Sequence, residues 1–248
     1  MAGHSQFANI KHRKGAQDAK KAKLFTKIIR EITVAVKTGQ SDPEFNPRLR
    51  NALIEARANN MPKDRIETAI KKVTSGVETQ NFEEIRYEGY AQGGVAIIVE
   101  ALTDNRNRTA SEVRSIFTKM SGVLGETGSV AFMFDRVGII QYPKAIGSEE
   151  EIFEIGVELG VIEVETLEDF HIIITNTEDF VYIRDQLIKK FKDPISAKLD
   201  WKAKNVVMVN DLEQAQKLLK MIDLLEDCDD VQMVTGNYVF SDEINQKI

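Results

Sequence analysis

The chain has one cysteine, Cys228, so no disulfide can close within it, which suits a reducing compartment. Its three histidines, His4, His12 and His171, form no pair spaced to hold zinc. The longest apolar runs, such as 95–99 and 206–209, fall far short of the roughly 18 residues that a spanning helix needs, so no membrane span is expected. The opening MAGHSQFANIKHRKG carries positive charge but no apolar core of the signal-peptide kind, and the cytosol is the expected location. Catalytic signals are also missing. Gly122, Gly125 and Gly128 lack the Lys-Ser/Thr pair of a phosphate loop and precede a strand-like run, so they read as a tight loop. The acidic run 226–230 lacks the alternate spacing of a calcium loop and reads as a solvated helix end. Cys228 lies among Asp227, Asp229 and Asp230, whose charges disfavour the thiolate. His171 reads as structural. No catalytic residue, metal ligand or cofactor is expected.

Charge is plentiful and unevenly placed. Residues 1–75 hold 16 Lys and Arg against 7 Asp and Glu, net +9, while residues 76–248 hold 17 against 32, net −15. Such a division points to a basic end that meets a polyanion and an acidic body that limits indiscriminate binding. A solvated helical face without a partner is the plainer alternative. The signal is strongest at the start, where Lys11, His12, Arg13, Lys14, Lys20, Lys21, Lys23, Lys27 and Arg30 face one acid, Asp18, before Glu31. Long cations neutralise phosphates and release counterions, and basic arms reach into grooves. Phe7 and Asn9 could add stacking and hydrogen bonds.

From residue 17 to 37 the apolar positions follow a helical period. Leu24, Phe25, Ile28, Ile29, Ile32, Ala35 and Val36 fall on one stripe, with Lys20, Lys23, Lys27 and Arg30 opposite, where they are expected to project away from the core. Lys21 and Val34 fit neither side. Gly39 reads as a left-handed cap. A second helix is expected from Asn46 as cap, through Pro47, to about Ala58, burying Leu49, Ala52, Leu53 and Ala56. A third starts near Pro62, buries Ile66, Ala69, Ile70 and Val73, and stops at Gly76, completing a three-helix bundle.

Beyond Gly76 short strand-like runs alternate with helices. Strand 139–142, helix 149–159, strands 161–166 and 170–175, helix 177–191 and strand 196–202 give the βαββαβ order of a ferredoxin-like domain. Strand 95–101, helix 109–121 and strand 129–134 before it, with strand 205–209, helix 211–225 and strand 231–239 after it, read as a second such domain. The expected fold is therefore α+β, a three-helix bundle followed by two ferredoxin-like α/β domains, one inserted in the other. The expected bounds are a basic arm 1–16, a bundle 17–78, a discontinuous domain 79–135 plus 205–248, and an insert 136–204.

The segment TDNRNRT, 103–109, joins a strand to a helix. Thr109 and Glu112 have capping-box spacing, with Asn107 a competing cap. Arg106 and Arg108 would then oppose the helix dipole by about 0.3–1 kcal/mol each, and an anion held there would offset that cost. A bound phosphate is one such anion. Simple exposure of both arginines is the alternative.

The blocks MAGHSQFANIKHRKGAQDAKKAKLFTKIIREITVAVKTG, DPEFNPRLRNALIEARANNMPKDRIETAIKK, YEGYAQGGVAIIVEALTDNRNRTASEVR and GSVAFMFDRVGII closely resemble the YebC/PmpR family over most of residues 1–140. Phe7 stands where the family usually has tryptophan and Gln6 where it has lysine, so one charge and some stacking surface are missing from the arm. The resemblance implies a cytoplasmic three-domain protein that regulates gene expression. Some members are described as DNA-binding transcriptional regulators, while others act in translation at the ribosome, including the mitochondrial translational activator of cytochrome c oxidase. The reading that follows is a nucleic-acid-binding regulator with DNA as partner, or alternatively a ribosome-associated factor with ribosomal RNA as partner. Oligomeric state is left open.

Overall fold

The structure, a computed structural model, describes residues 17–248. Helices α1 (Gln17–Thr38), α2 (Pro47–Ala58) and α3 (Lys63–Thr74) form the bundle. Its core is Phe25, Ile28, Ile32, Ala35 and Val36 against Leu49, Ala52, Ala56 and Ala69, with Leu53, Ile66, Ile70 and Val73 partly buried. Asn46 joins two helices. Its carboxamide oxygen accepts from Leu49 N at 3.0 Å to cap α2, while its Nδ2 donates to Ala35 O and Gln40 O, both at 2.7 Å, to close α1. Gly39 is not the left-handed cap expected. Gly76 is among the positive-φ glycines and Gly39 is not, but a Cβ on Gly39 would lie 2.7 Å from Asn46 Nδ2. The position needs a glycine because Asn46 approaches it so closely.

The remaining elements, in order, are β1 (Glu83–Tyr90), β2 (Ala96–Thr103), α4 (Arg106–Lys119), β3 (Val123–Leu124), β4 (Phe134–Pro143), α5 (Glu149–Leu159), β5 (Glu163–Thr166), β6 (Phe170–Asn176), α6 (Phe180–Phe191), β7 (Ser196–Ala203), β8 (Val207–Val209), α7 (Leu212–Glu226), β9 (Val231–Gly236), β10 (Tyr238–Phe240) and α8 (Asp242–Asn245). The fold is α+β. One antiparallel sheet runs β5-β6-β4-β7, with α5 and α6 packed on one face through Ile140, Tyr142, Ile152, Ile173, Phe180, Ile183 and Leu187. This is the βαββαβ order read from the sequence. His171 lies near the start of β6, an inner strand, and is fully buried, with its ring nitrogens bonded to Thr166 Oγ1, Lys144 O and Gly147 O.

The second sheet differs from expectation. It runs β3-β1-β2-β9, with α4 and α7 packed on it around Val113, Phe117, Leu218, Met221, Ile222 and Leu225. Strand β1, unforeseen in the sequence, takes the place beside β2 expected for 205–209. The part of that segment in β8 pairs in parallel with β10 instead. No strand covers 129–133, where a 3-10 turn runs from Ala131 to Met133 before β4. The cause is Glu88. Its buried carboxylate accepts from the backbone N–H of Gly128, Val130 and Ala131 at 2.8–2.9 Å, so those donors are not free to join a ladder. The glycine loop does cradle an anion, but one supplied by β1.

In chain order β4–β7 fall between β3 and β9, and their sheet meets its neighbour at a shared seam. Phe134 and Trp201 cluster with Ala96, Ile98 and Val130, so the first residue of β4 and the end of β7 pack against the other sheet.

Candidate nucleic-acid interface

Four of the expected site residues, Lys11, His12, Arg13 and Lys14, lie outside the described residues, and the Lys20 side chain is not described either. The rest can be placed. Lys23, Lys27 and Arg30 lie against the body, although the Lys23 side chain stays 44% exposed. Lys23 Nζ lies 3.0 Å from Asp227 O and 3.3 Å from its carboxylate, and Lys27 Nζ lies 2.5 Å from Glu226 O. Arg30 Nη1 donates to Leu102 O at 2.8 Å, Asp229 O at 2.7 Å and Asp230 Oδ1 at 2.9 Å, and its guanidinium stacks over Phe82. Helix α1 therefore has two covered faces. Positions 23, 27, 30, 34 and 37 follow one stripe at helical spacing, and Lys37 at its end donates to Gln80 O. Val34, the misfit of the sequence pattern, is buried, yet it does not belong to the bundle's own cluster. Charge in a sequence says that a face is basic, not whether its anion lies on the same chain. The acidic run 226–230 is correspondingly only partly the solvated helix end expected: Asp227 and Asp229 are exposed, while Asp230 is buried and the carbonyls of the run receive this stripe.

Asp230 is the centre of that contact. It is 3% exposed, and its carboxylate also accepts from Thr103 Oγ1 at 3.0 Å, Thr109 Oγ1 at 2.6 Å and Arg108 Nη2 at 2.6 Å. Burial alone would raise the Asp230 carboxyl, but the hydrogen bonds from Thr109, Arg108 and Thr103 and the charge of Arg30 hold it below its ordinary value. The cap of α4 is Asn105, whose side chain accepts from Arg108 N, and not Asn107 or Thr109. Thr109 is fully buried, and its hydroxyl faces Thr103 and Asp230. The anion that offsets Arg108 at this helix start is thus intramolecular. Arg108 pairs with Asp230 and with Asp104 at 2.9 Å, while Arg106, 70% exposed, has only a 3.7 Å approach to Glu83.

Other bundle cations are also matched by acids outside the bundle. Arg48 bridges Glu31 within the bundle and Glu84 on β1, Arg50 meets Asp185 on α6, and Arg57 meets Asp193. Arg184, fully buried, returns the contact to Pro47 O and the Asn51 side chain. Exposed cations on the bundle include Lys21 and Arg65, both about 5.8 Å from the Phe25 ring, with Lys71 and Lys72 on α3. The Cys228 thiol is pushed up to about 12 by burial first and then by Glu112, not by the aspartates beside it in sequence. Among the described residues, no group of three or more His, Cys, Asp or Glu could hold a metal ion, and no helix is long and apolar enough to cross a membrane.

Residues 5–76 match the family model of the TACO1/YebC protein N-terminal domain, and residues 82–238 match that of the TACO1/YebC second and third domain. A "Probable transcriptional regulatory protein" of Rickettsia bellii (strain RML369-C) is 55% identical over 244 residues, covering 98% of this chain and 96% of that one. A namesake from Rickettsia felis is 55% identical over 249 residues, covering 100% of this chain and 98% of that one. The crystal structure of a conserved hypothetical protein from Aquifex aeolicus superposes with a TM-score of 0.87 at 48% identity, over 96% of this chain and 98% of that one.

Proposed function

Since the chain belongs to the TACO1/YebC family, we propose that it is a non-catalytic, cytoplasmic regulator of gene expression that binds nucleic acid, in the narrower reading a DNA-binding regulator of transcription. The relatives' names support the regulatory part. The observation that carries the binding part is where unmatched positive charge remains. With Lys23, Lys27 and Arg30 turned onto acids and carbonyls of the body, the first 22 residues still hold five Lys and Arg against one acid. Lys11, His12, Arg13, Lys14 and Lys20 are the proposed phosphate contacts, with Arg106 and the outer part of Arg108 as a second grip.

The runner-up is a ribosome-associated translation factor that binds structured RNA. One observation favours it. Helix α2 packs against β7, and the basic stripe of α1 is docked on the body, so two of the three bundle helices are not free to enter a DNA groove. Affinity for duplex DNA and for a ribosomal RNA fragment, across a salt series, tests both readings. Replacing Lys11, Arg13 and Lys14 by Gln should reduce the log K against log salt slope by about 0.9 per lost duplex contact, or about 0.7 on single strands. Unchanged affinity and slope on both nucleic acids would remove the arm from the interface. Recovery of tagged protein with ribosomes or with chromatin then separates the two targets.

A further inference from the structure

We propose that the acidic segment 226–230 stands in for a nucleic-acid backbone, holding the cationic stripe of α1 closed until a polyanion displaces it and the bundle swings off the body. This rests on the nucleic-acid reading above and adds a regulation to the same surface. The acceptors on the body are of the kind phosphates provide. Glu226 O and Asp227 O are carbonyls at the C-terminal end of α7, where the helix dipole is negative, and the carboxylates of Asp227 and Asp230 add charge. Lys27 is drawn far enough from water that burial, against the pull of Glu226, lowers its pKa. A lysine in that setting is held at some cost, and a flexible polyanion that accepts from the whole stripe without removing it from water would relieve that cost.

The docking is built to be reversible. The bundle keeps its own apolar cluster, whose members all belong to α1, α2, α3 and the α2–α3 turn, so separation leaves that core whole. Beyond the stripe, the ties are the ion pairs Arg48–Glu84, Arg50–Asp185 and Arg57–Asp193, which salt weakens most where they are exposed, and the contact of buried Arg184 with Pro47 O and the Asn51 side chain, which opening also has to break. Val34 and Ile54 are buried outside the bundle's cluster. The connection from α3 to β1, residues 75–82, is mostly exposed and provides the slack for movement. Opening would uncover Lys23, Lys27 and Arg30 beside the arm, lengthening the basic track along α1. It would also release Arg30 from Asp230, which keeps Arg108, Thr103 and Thr109.

The test uses the full chain with Cys228→Ser and spin labels at Thr68→Cys on α3 and Ser115→Cys on α4, both exposed positions. Distance distributions are read without and with saturating duplex DNA or ribosomal RNA fragment, while binding is followed separately by anisotropy. A single short distance that lengthens on binding supports the latch. A second variant, Glu226→Gln with Asp227→Asn, weakens the stand-in without touching the arm. It should bind the same nucleic acid about twofold to fivefold more tightly, as loss of the exposed Lys23–Asp227 pair and of the Glu226 charge near Lys27 allows. Binding with an unchanged distance, or a weakened stand-in that binds no better, overturns the latch and leaves the proposed function intact. Absence of binding to either nucleic acid overturns both.

Discussion

Asp230 accepts from groups on α1, β2 and α4, and Glu88 accepts from three backbone donors and Arg86. For Glu88, as for Asp230, burial would raise the carboxyl, but its N–H and Arg86 partners outweigh burial and hold it low. Asp200 follows the same pattern, with burial opposed by Lys198, Trp201 N and Thr235. The unfolded state binds more protons than the folded one between these depressed values and the ordinary carboxylate value of about 4. Their stabilisation is therefore complete above about pH 4 and is lost as pH falls below it. Urea midpoints should hold level near neutrality and drop on the acid side, and Glu88→Gln should lower the neutral midpoint and flatten that drop. A variant with an unaltered acid limb would show that Glu88 does not contribute. Asp230→Asn should cost about 2–4 kcal/mol, since it leaves the nearly buried Arg30 short of its countercharge. The two loop arginines should now separate. Arg106→Gln should stay within about 0.5 kcal/mol of wild type, as exposed positions do. Arg108→Gln should lower the unfolding midpoint, because Asp230 loses a charged donor, and equal midpoints for the two variants would count against the Asp230 hub.

At the scale of elements, periodicity revealed what faces inward but not every inward face. The apolar stripe of α1, the Asn46–Pro47 start of α2 and the β4–β7 order were legible because each depends on local pattern and turn chemistry. The second face of α1 was not, since its partner lies about two hundred positions away, and Val34 amid cations was the one signal that it was covered. Strand β1 escaped because EEIRYEGY looks solvated, and only its fold partners explain how Glu88 can sit inside. Within β4, Gly138 is fixed by its neighbours. A Cβ there would lie 2.3 Å from Phe180 Cδ2 and 2.4 Å from Thr175 Oγ1, so the strand must have no side chain where α6 crosses it. Gly138→Ala should destabilise the protein by about 1–3 kcal/mol through overpacking. Loss of exchange protection in β4, β6 and α6 ahead of the β1–β2 hairpin would locate the damage, whereas uniform loss would show that the two sheets open together.

For the whole molecule, the two ends of the β4–β7 segment meet across a ladder, with Arg136 opposite Trp201 and Phe134 opposite Ala203. Removing 137–200 and joining Arg136 to Trp201 by a short Gly/Ser turn keeps the seam with Ala96 and Ile98, and should leave a cooperatively unfolding protein. Removing 136–204 instead takes Trp201 away and should bind a hydrophobic dye and unfold with a broader transition. If the shorter excision is molten as well, the remaining sheet does not stand without its insert. The same adjacency governs the order of assembly. Strand β2 must find β9 through pairs such as Ile97 with Gly236, a contact distant enough in sequence to be slow. Once β4 pairs with β7, roughly half of the intervening chain no longer counts toward that search, which lowers the closure cost by about 0.6 kcal/mol. The saving is small against total stability, but it falls on the encounter between β2 and β9. The β4–β7 pairing would thus act as an internal splint for the sheet on either side of it in sequence, and a chain emerging during synthesis cannot pair β2 with β9 until β9, near residue 236, has been made.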